Sequence, residues 1–73
     1  MNEKTLAFSI FCIEGLTELL DMNAKEVYRM LKVDTDILDG YIIPCYEILH
    51  SQSKKYILDD LVEVLKERGI IKC

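Results

Sequence analysis

Apolar positions along the chain return every three or four residues, the spacing of amphipathic helices, and four helical stretches can be traced. The first runs from about Glu3 to Asp21 and places Leu6, Phe8, Cys12, Ile13, Leu16, Leu19 and Leu20 on one side. Glu3, Glu14, Thr17, Glu18 and Asp21 gather opposite. Phe11 departs from the pattern by projecting among Ala7, Glu14 and Glu18, and Ile10 stands at the margin. A second helix over 24–32 is announced by Asn23 as N-cap, with Glu26 three residues later where a reciprocal capping side chain belongs. Its inward face reads Ala24, Val27, Tyr28 and Leu31, and Lys25, Arg29 and Lys32 line the other side.

The third stretch, 37–50, is kinked. Val33 to Asp36 forms a turn, Asp36 is placed to cap the third stretch, and Asp39 sits in its first turn. Gly40 and Pro44 interrupt the helix. Proline fits a first turn and breaks an interior, so the spacing predicts one turn over Ile37–Tyr41, a bend, and a helix from Pro44 to about His50. A short buried strand at Tyr41–Ile43 is the competing reading. After the turn Ser51-Gln52-Ser53 comes the cleanest pattern, a helix over 54–68. Here Ile57, Leu58, Leu61, Val62, Val64 and Leu65 face in, and Asp59, Asp60, Glu63, Lys66 and Glu67 face out. Gly69 suits a left-handed C-cap with Ile70 folding back on the last turn. The tail Ile71-Lys72-Cys73 is either strapped down by Ile71 or loose. The sequence therefore specifies an all-α, compact bundle of about four helices in a single domain, 1–73.

Seventy-three residues have room for one hydrophobic core, and that core must use nearly every apolar residue. Multidomain enzymes are excluded by length alone. A net charge of −4 argues against non-specific binding to nucleic acid or to an anionic membrane surface. Cys12, Cys45 and Cys73 cannot all pair within one chain and contain no CxxC spacing, which suits a reducing cytoplasm. The longest uncharged run, Thr5 to Ile13, is far short of a membrane span. No export signal is visible at Asn2-Glu3-Lys4.

Chemistry finds few footholds. Cys45 and His50 form at most a two-ligand corner where zinc needs three or four, so no metal is expected. A histidine that ends the Pro44 helix, favoured there by the helix dipole, is the simpler role. Asp59, Asp60 and Glu63, and the turn residues Asp34, Asp36 and Asp39, read as a solvated face and a set of caps rather than a catalytic pair, which would require a cleft. No phosphate loop or dinucleotide motif is present, no cofactor is expected, and the chain is not expected to be an enzyme.

The capped second helix, turn and following segment outline a helix-turn-helix, with Lys25, Arg29 and Lys32 as a possible nucleic-acid ridge. The stretch that would meet bases reads Asp34-Thr35-Asp36-Ile37-Leu38-Asp39, which turns three carboxylates toward phosphates. What remains is an excess of apolar and aromatic side chains. Ile10 and Phe11 on the first helix, with Tyr41, Tyr46 and Tyr56 around the third segment, are candidate partner-binding residues. Either they anchor another protein or a second copy of the chain, or the first helix is central and buried nearly all round.

The run Leu38-Asp39-Gly40-Tyr41-Ile42-Ile43-Pro44-Cys45-Tyr46-Glu47-Ile48-Leu49-His50, followed by Tyr56-Ile57-Leu58-Asp59-Asp60, resembles a family of small bacterial proteins classed as a domain of unknown function. The likeness extends back through Phe11-Cys12-Ile13-Glu14 and Glu26-Val27-Tyr28. The resemblance implies no assigned activity, cofactor or catalytic residues. It does imply a gene neighbourhood, since genes of that family often lie beside genes for ADP-ribosyltransferase-like toxin domains. The resulting expectation is a protein-protein interaction module, the antitoxin or accessory partner of a toxin. The alternatives are a helix-turn-helix-like DNA-binding regulator and a phage-type anti-defence inhibitor.

Overall fold

The computed structural model describes residues 2–70, and its elements are all helical: α1 (Glu3–Leu20), α2 (Ala24–Lys32), a π-helical turn (Leu38–Ile42), α3 (Tyr46–Leu49) and α4 (Lys54–Glu67). No strand occurs among the described residues, so Tyr41–Ile43 is not the short strand that competed for that stretch. Expectations about Ile71 and Cys73 lie outside them.

Local chemistry sets the helix ends. Asn2 Oδ1 accepts from the Thr5 amide at 2.9 Å, Asn23 Oδ1 from the Glu26 amide at 2.8 Å and Ser53 Oγ from the Tyr56 amide at 3.2 Å. Each supplies one of the acceptors that the first turn of a helix lacks. Glu26 reciprocates through the Asn23 side-chain amide, 2.7 Å away, a variant of the capping box. α1 stops one residue earlier than the pattern indicates, because Asp21 adopts the left-handed conformation at φ 54°. α4 closes as anticipated: Gly69 is left-handed at φ 72°, its amide bonds to the Lys66 carbonyl, and the Ile70 amide reaches back to Leu65 at 3.0 Å.

The third segment differs most. The expected turn and bend are there, as one π turn over Leu38–Ile42 and a turn through Ile43–Cys45 that contains Pro44, but the helix expected from Pro44 to His50 is a single α turn, Tyr46–Leu49. Asp36 does not cap the segment. No side chain caps the π turn; Thr35 shapes the approach to it, with Oγ1 accepting from the Ile37 amide at 3.2 Å while donating to the Met30 carbonyl at 2.9 Å. Asp36 instead meets the Arg68 guanidinium at 2.6 Å, a tie from the start of this segment to the end of α4.

The core gathers Cys12 and Leu16 of α1, Val27, Met30 and Leu31 of α2, Ile37, Leu38 and Ile42, Leu49, and Ile57, Leu58, Leu61 and Leu65 of α4. Two faces are rotated from those expected. On α1 the buried side is Phe8, Ser9, Cys12, Gly15 and Leu16, and Leu6 and Leu19 stand about half exposed. On α2, Met30 is buried where Ala24 and Tyr28 were expected. The cause on α1 is close packing by small residues. A Cβ on Gly15 would lie 2.7 and 2.8 Å from the two δ-carbons of Leu58, so α4 rests on bare backbone there. Ser9 is buried without an unmet hydrogen bond, because its hydroxyl donates to the Thr5 carbonyl at 2.8 Å. Nor does the core use every apolar residue; Leu6, Ile10, Leu19, Val33, Ile48 and Tyr56 keep much of their surface in solvent.

Candidate interaction surface

The five residues singled out as partner anchors separate into three places. Phe11, at the outer edge of α1, is 36% exposed, and its ring stacks on Phe8 with centroids 6.1 Å apart. Phe8 is buried and meets Tyr46 edge-on at 5.4 Å, and Tyr46 lies flat against His50 at 4.5 Å. A row of four rings thus runs from α1 to the end of α3, open to solvent at Phe11 and His50. Offset and edge-on pairs of this kind are favourable beyond the area they bury. His50 ends α3, and its Nδ1 donates to the Tyr46 carbonyl at 2.8 Å, since a carbonyl can only accept. Tyr46 is therefore packed into the fold rather than free.

Tyr41 occupies a second place. Its hydroxyl donates to Asp60 Oδ2 and ties the π turn to α4. That bond holds the phenol protonated and raises its pKa well above the usual tyrosine value, with burial and the negative charge of Asp60 adding to the effect. Asp60 is half-buried, not outward-facing as its place in the pattern suggested. Tyr56 stands near this bond with 54% of its surface exposed.

Ile10 belongs to a third place, on another side of α1 from Phe11. It is 46% exposed, with Leu6, 50% exposed, one turn before it and half-buried Ile13 following. Positions i, i+4 and i+7 line up along a helix, so these three make one apolar strip. Sequence reasoning missed Leu6 because it took that side of α1 as buried; the signal that relocates the buried side is the pair of small residues Ser9 and Gly15.

The candidate nucleic-acid ridge is largely engaged by the protein itself. Lys32 Nζ lies 2.7 Å from Asp39, a hydrogen bond that raises the lysine pKa, and Arg29 Nε is 3.9 Å from Asp34. Lys25 stands outside the four ion pairs formed among the described residues. Each aspartate of the 34–39 turn faces a cation: Asp34 has Arg29, Asp36 has Arg68 and Asp39 has Lys32. Asp39 and Asp36 join the turn to α2 and α4 at hydrogen-bond distance, and the Arg29–Asp34 pair, longer and more exposed, adds little.

Nucleophile and metal chemistry gain little from the geometry. Cys12 is fully buried and its thiol is pushed up to about 12 by desolvation, so it stays protonated at neutral pH. Among the described residues no group of three His, Cys, Asp or Glu side chains is arranged to hold a metal ion. No helix among them is long and apolar enough to cross a membrane. One surface hollow is an open groove lined by Leu19, Leu20, Val62, Asp59, Glu63 and Lys66, beside the end of α1.

A family model described as a protein of unknown function (DUF3791) matches residues 7–68. The chain belongs to the DUF3791 family. The stretches Leu38–His50 and Tyr56–Asp60, which carry the resemblance read from the sequence, both lie inside the matched span. So do the ring row, the Tyr41–Asp60 bond and the Asp36–Arg68 tie, which makes the DUF3791 region nearly the whole of the described helical bundle. No curated protein and no solved structure matches this DUF3791 chain.

Proposed function

We propose that this protein is a small, non-catalytic interaction module that works by binding another protein, as the antitoxin or accessory partner of a toxin encoded beside it in the cytoplasm. The observation that carries the reading is the apolar surface left on α1, where Leu6, Ile10 and Phe11 are 50%, 46% and 36% exposed although the helix packs against both α2 and α4. Leu6 and Ile10 stand together on one side of α1 beside exposed glutamates, and Phe11 stands on another; large apolar side chains left in solvent beside carboxylates suit a protein interface. The class of partner comes from the resemblance, whose genes neighbour ADP-ribosyltransferase-like toxin domains. A net charge of −4 complements a basic nucleotide-binding cleft, and apolar anchors supply the affinity. The engagement of Arg29 and Lys32 by Asp34 and Asp39 favours a protein partner over nucleic acid.

The test is co-expression with the neighbouring gene product. The expected result is a co-purifying complex and relief of growth inhibition. If the two proteins neither associate nor relieve toxicity, the antitoxin reading is wrong.

A further inference from the structure

Resting on the reading of the protein as a protein-binding module, we infer that the partner contributes a basic amphipathic helix, which lies along the Leu6–Ile10–Ile13 strip of α1. The strip has its own charged border. Ile10 has Glu3 two turns before it and Glu14 one turn after it on nearly the same line, and Glu18 follows Glu14 on the next turn. All three glutamates are exposed, and none belongs to the four ion pairs among the described residues, which all lie on other elements. The cation of α1, Lys4, projects roughly opposite Leu6 on the helical wheel. The strip is thus apolar along its centre and acidic along its free edge.

A partner helix with apolar residues at i, i+4 and i+7 and lysine or arginine beside them matches both features. A second copy of this chain does not. Two α1 helices paired antiparallel about a two-fold axis bring like edge against like edge, and so set Glu3 and Glu14 of each chain against those of the other. Parallel pairing sets the acidic edge against the opposite flank, where Ser9 and Leu16 are already buried in the fold.

The test uses the full chain and two synthetic helical peptides of about four turns. Both carry leucine at the apolar positions; one has lysine at the remaining positions and the other glutamate. In NMR titrations the lysine peptide is expected to shift the amides of Leu6–Ile13 and to bind at least about tenfold more tightly than the glutamate peptide. Ile10→Asp, at a half-exposed position, is expected to weaken the lysine peptide at least about tenfold while leaving the melting temperature nearly unchanged. Leu6→Asp provides the same reading at a second site, and Glu14→Lys with Glu18→Lys reverses the preference between peptides. The inference fails if neither peptide binds, if both bind equally, or if the shifts centre on Phe11 and Tyr46. It also fails if sedimentation shows a dimer that Ile10→Asp dissociates, since the strip then belongs to a second copy. A toxin complex that survives Ile10→Asp and Leu6→Asp removes this inference and leaves the proposed function standing. A lysine peptide that binds α1 when the toxin does not associate has the opposite meaning.

Discussion

α2 and α1 are both amphipathic helices packed in the same core, yet they use their surfaces differently. On α2 the apolar side chains Val27, Met30 and Leu31 are buried together, Tyr28 is left 45% exposed, and the polar side carries the Asn23–Glu26 cap, the Lys32–Asp39 pair and a looser Arg29–Asp34 pair. On α1 the buried side includes Ser9 and Gly15, and Leu6 and Ile10 are left outside beside glutamates that take no part in the ion pairs of the described residues. α2 is left with one half-exposed ring and Lys25, its other two cations being paired inside the molecule. A helix that packs through small residues keeps large ones free, and α1 is that helix.

The largest effect that tests this contrast is cavity formation. Leu31→Ala on α2 empties a fully buried site and is expected to cost about 2–5 kcal/mol in urea denaturation. Leu6→Ala on α1 removes a side chain that is 50% exposed and is expected to cost under about 1 kcal/mol. Comparable losses would mean that the α1 strip is part of the core, and the contrast between the two helices would collapse.

Gly15→Ala probes why the buried side of α1 lies where it does. Alanine improves helix propensity by about 1 kcal/mol, but its methyl would sit 2.7 Å from a δ-carbon of Leu58, and overpacking of this kind costs about 1–3 kcal/mol. The expected balance is a net loss of about 1 kcal/mol, read as a lower urea midpoint with an unchanged slope. A stabilised variant would show that the Leu58 side chain can turn aside or α4 step back, and that glycine is not what sets the approach.

The extents of the second and fourth helices were legible because their ends carry Asn23, Ser53 and Gly69, each with one mechanical role, although the buried face of the second is turned toward Met30. The rotation of α1 was not, because a count of apolar residues gives no weight to Ser9 and Gly15, and a close helix contact is made of such residues. The π turn was hidden for another reason. Gly40 and Pro44 signal irregularity without specifying its form, which here depends on distant partners, Asp60 for Tyr41 and Arg68 for Asp36. Of the candidate surface, the departure of Ile10 and Phe11 from the core pattern was readable, but whether they were exposed or buried by a central first helix was not; the structure leaves Ile10, Phe11 and Tyr56 46%, 36% and 54% exposed. The packing of Tyr46 between Phe8 and His50 required three elements to come together.

Tyr41→Phe tests whether the irregular segment is held by that distant bond. Loss of a partly buried hydrogen bond is expected to cost about 1 kcal/mol. The pH dependence is the sharper reading. The phenol pKa is raised in the folded state by the hydrogen bond to Asp60, so the stabilisation is fully present below the ordinary tyrosine value of 10.0 and is lost as pH rises above it. Wild type should therefore lose stability at alkaline pH more steeply than Tyr41→Phe. Parallel curves would show that the bond contributes nothing to holding the turn against α4.

The smallest expected effect is at Asp36, where the segment joins the end of α4. Its carboxyl is held below the ordinary 3.8 chiefly by the hydrogen bond from Arg68, so the ionised form is favoured in the folded state. The contribution is present above the range in which an unfolded aspartate titrates and disappears as pH falls through the lowered folded value. Both side chains are largely in solvent, 44% exposed for Arg68 and 71% for Asp36, so screening keeps the gain small. Asp36→Asn should lower the urea midpoint slightly at neutral pH, and the gap from wild type should close as pH is lowered toward about 3 or as salt is raised. A gap that persists through both would assign Asp36 a role independent of its charge. The ion pairs that distinguish the fold-directed surface of α2 and the 34–39 turn from the free edge of α1 would then count for less than their geometry suggests.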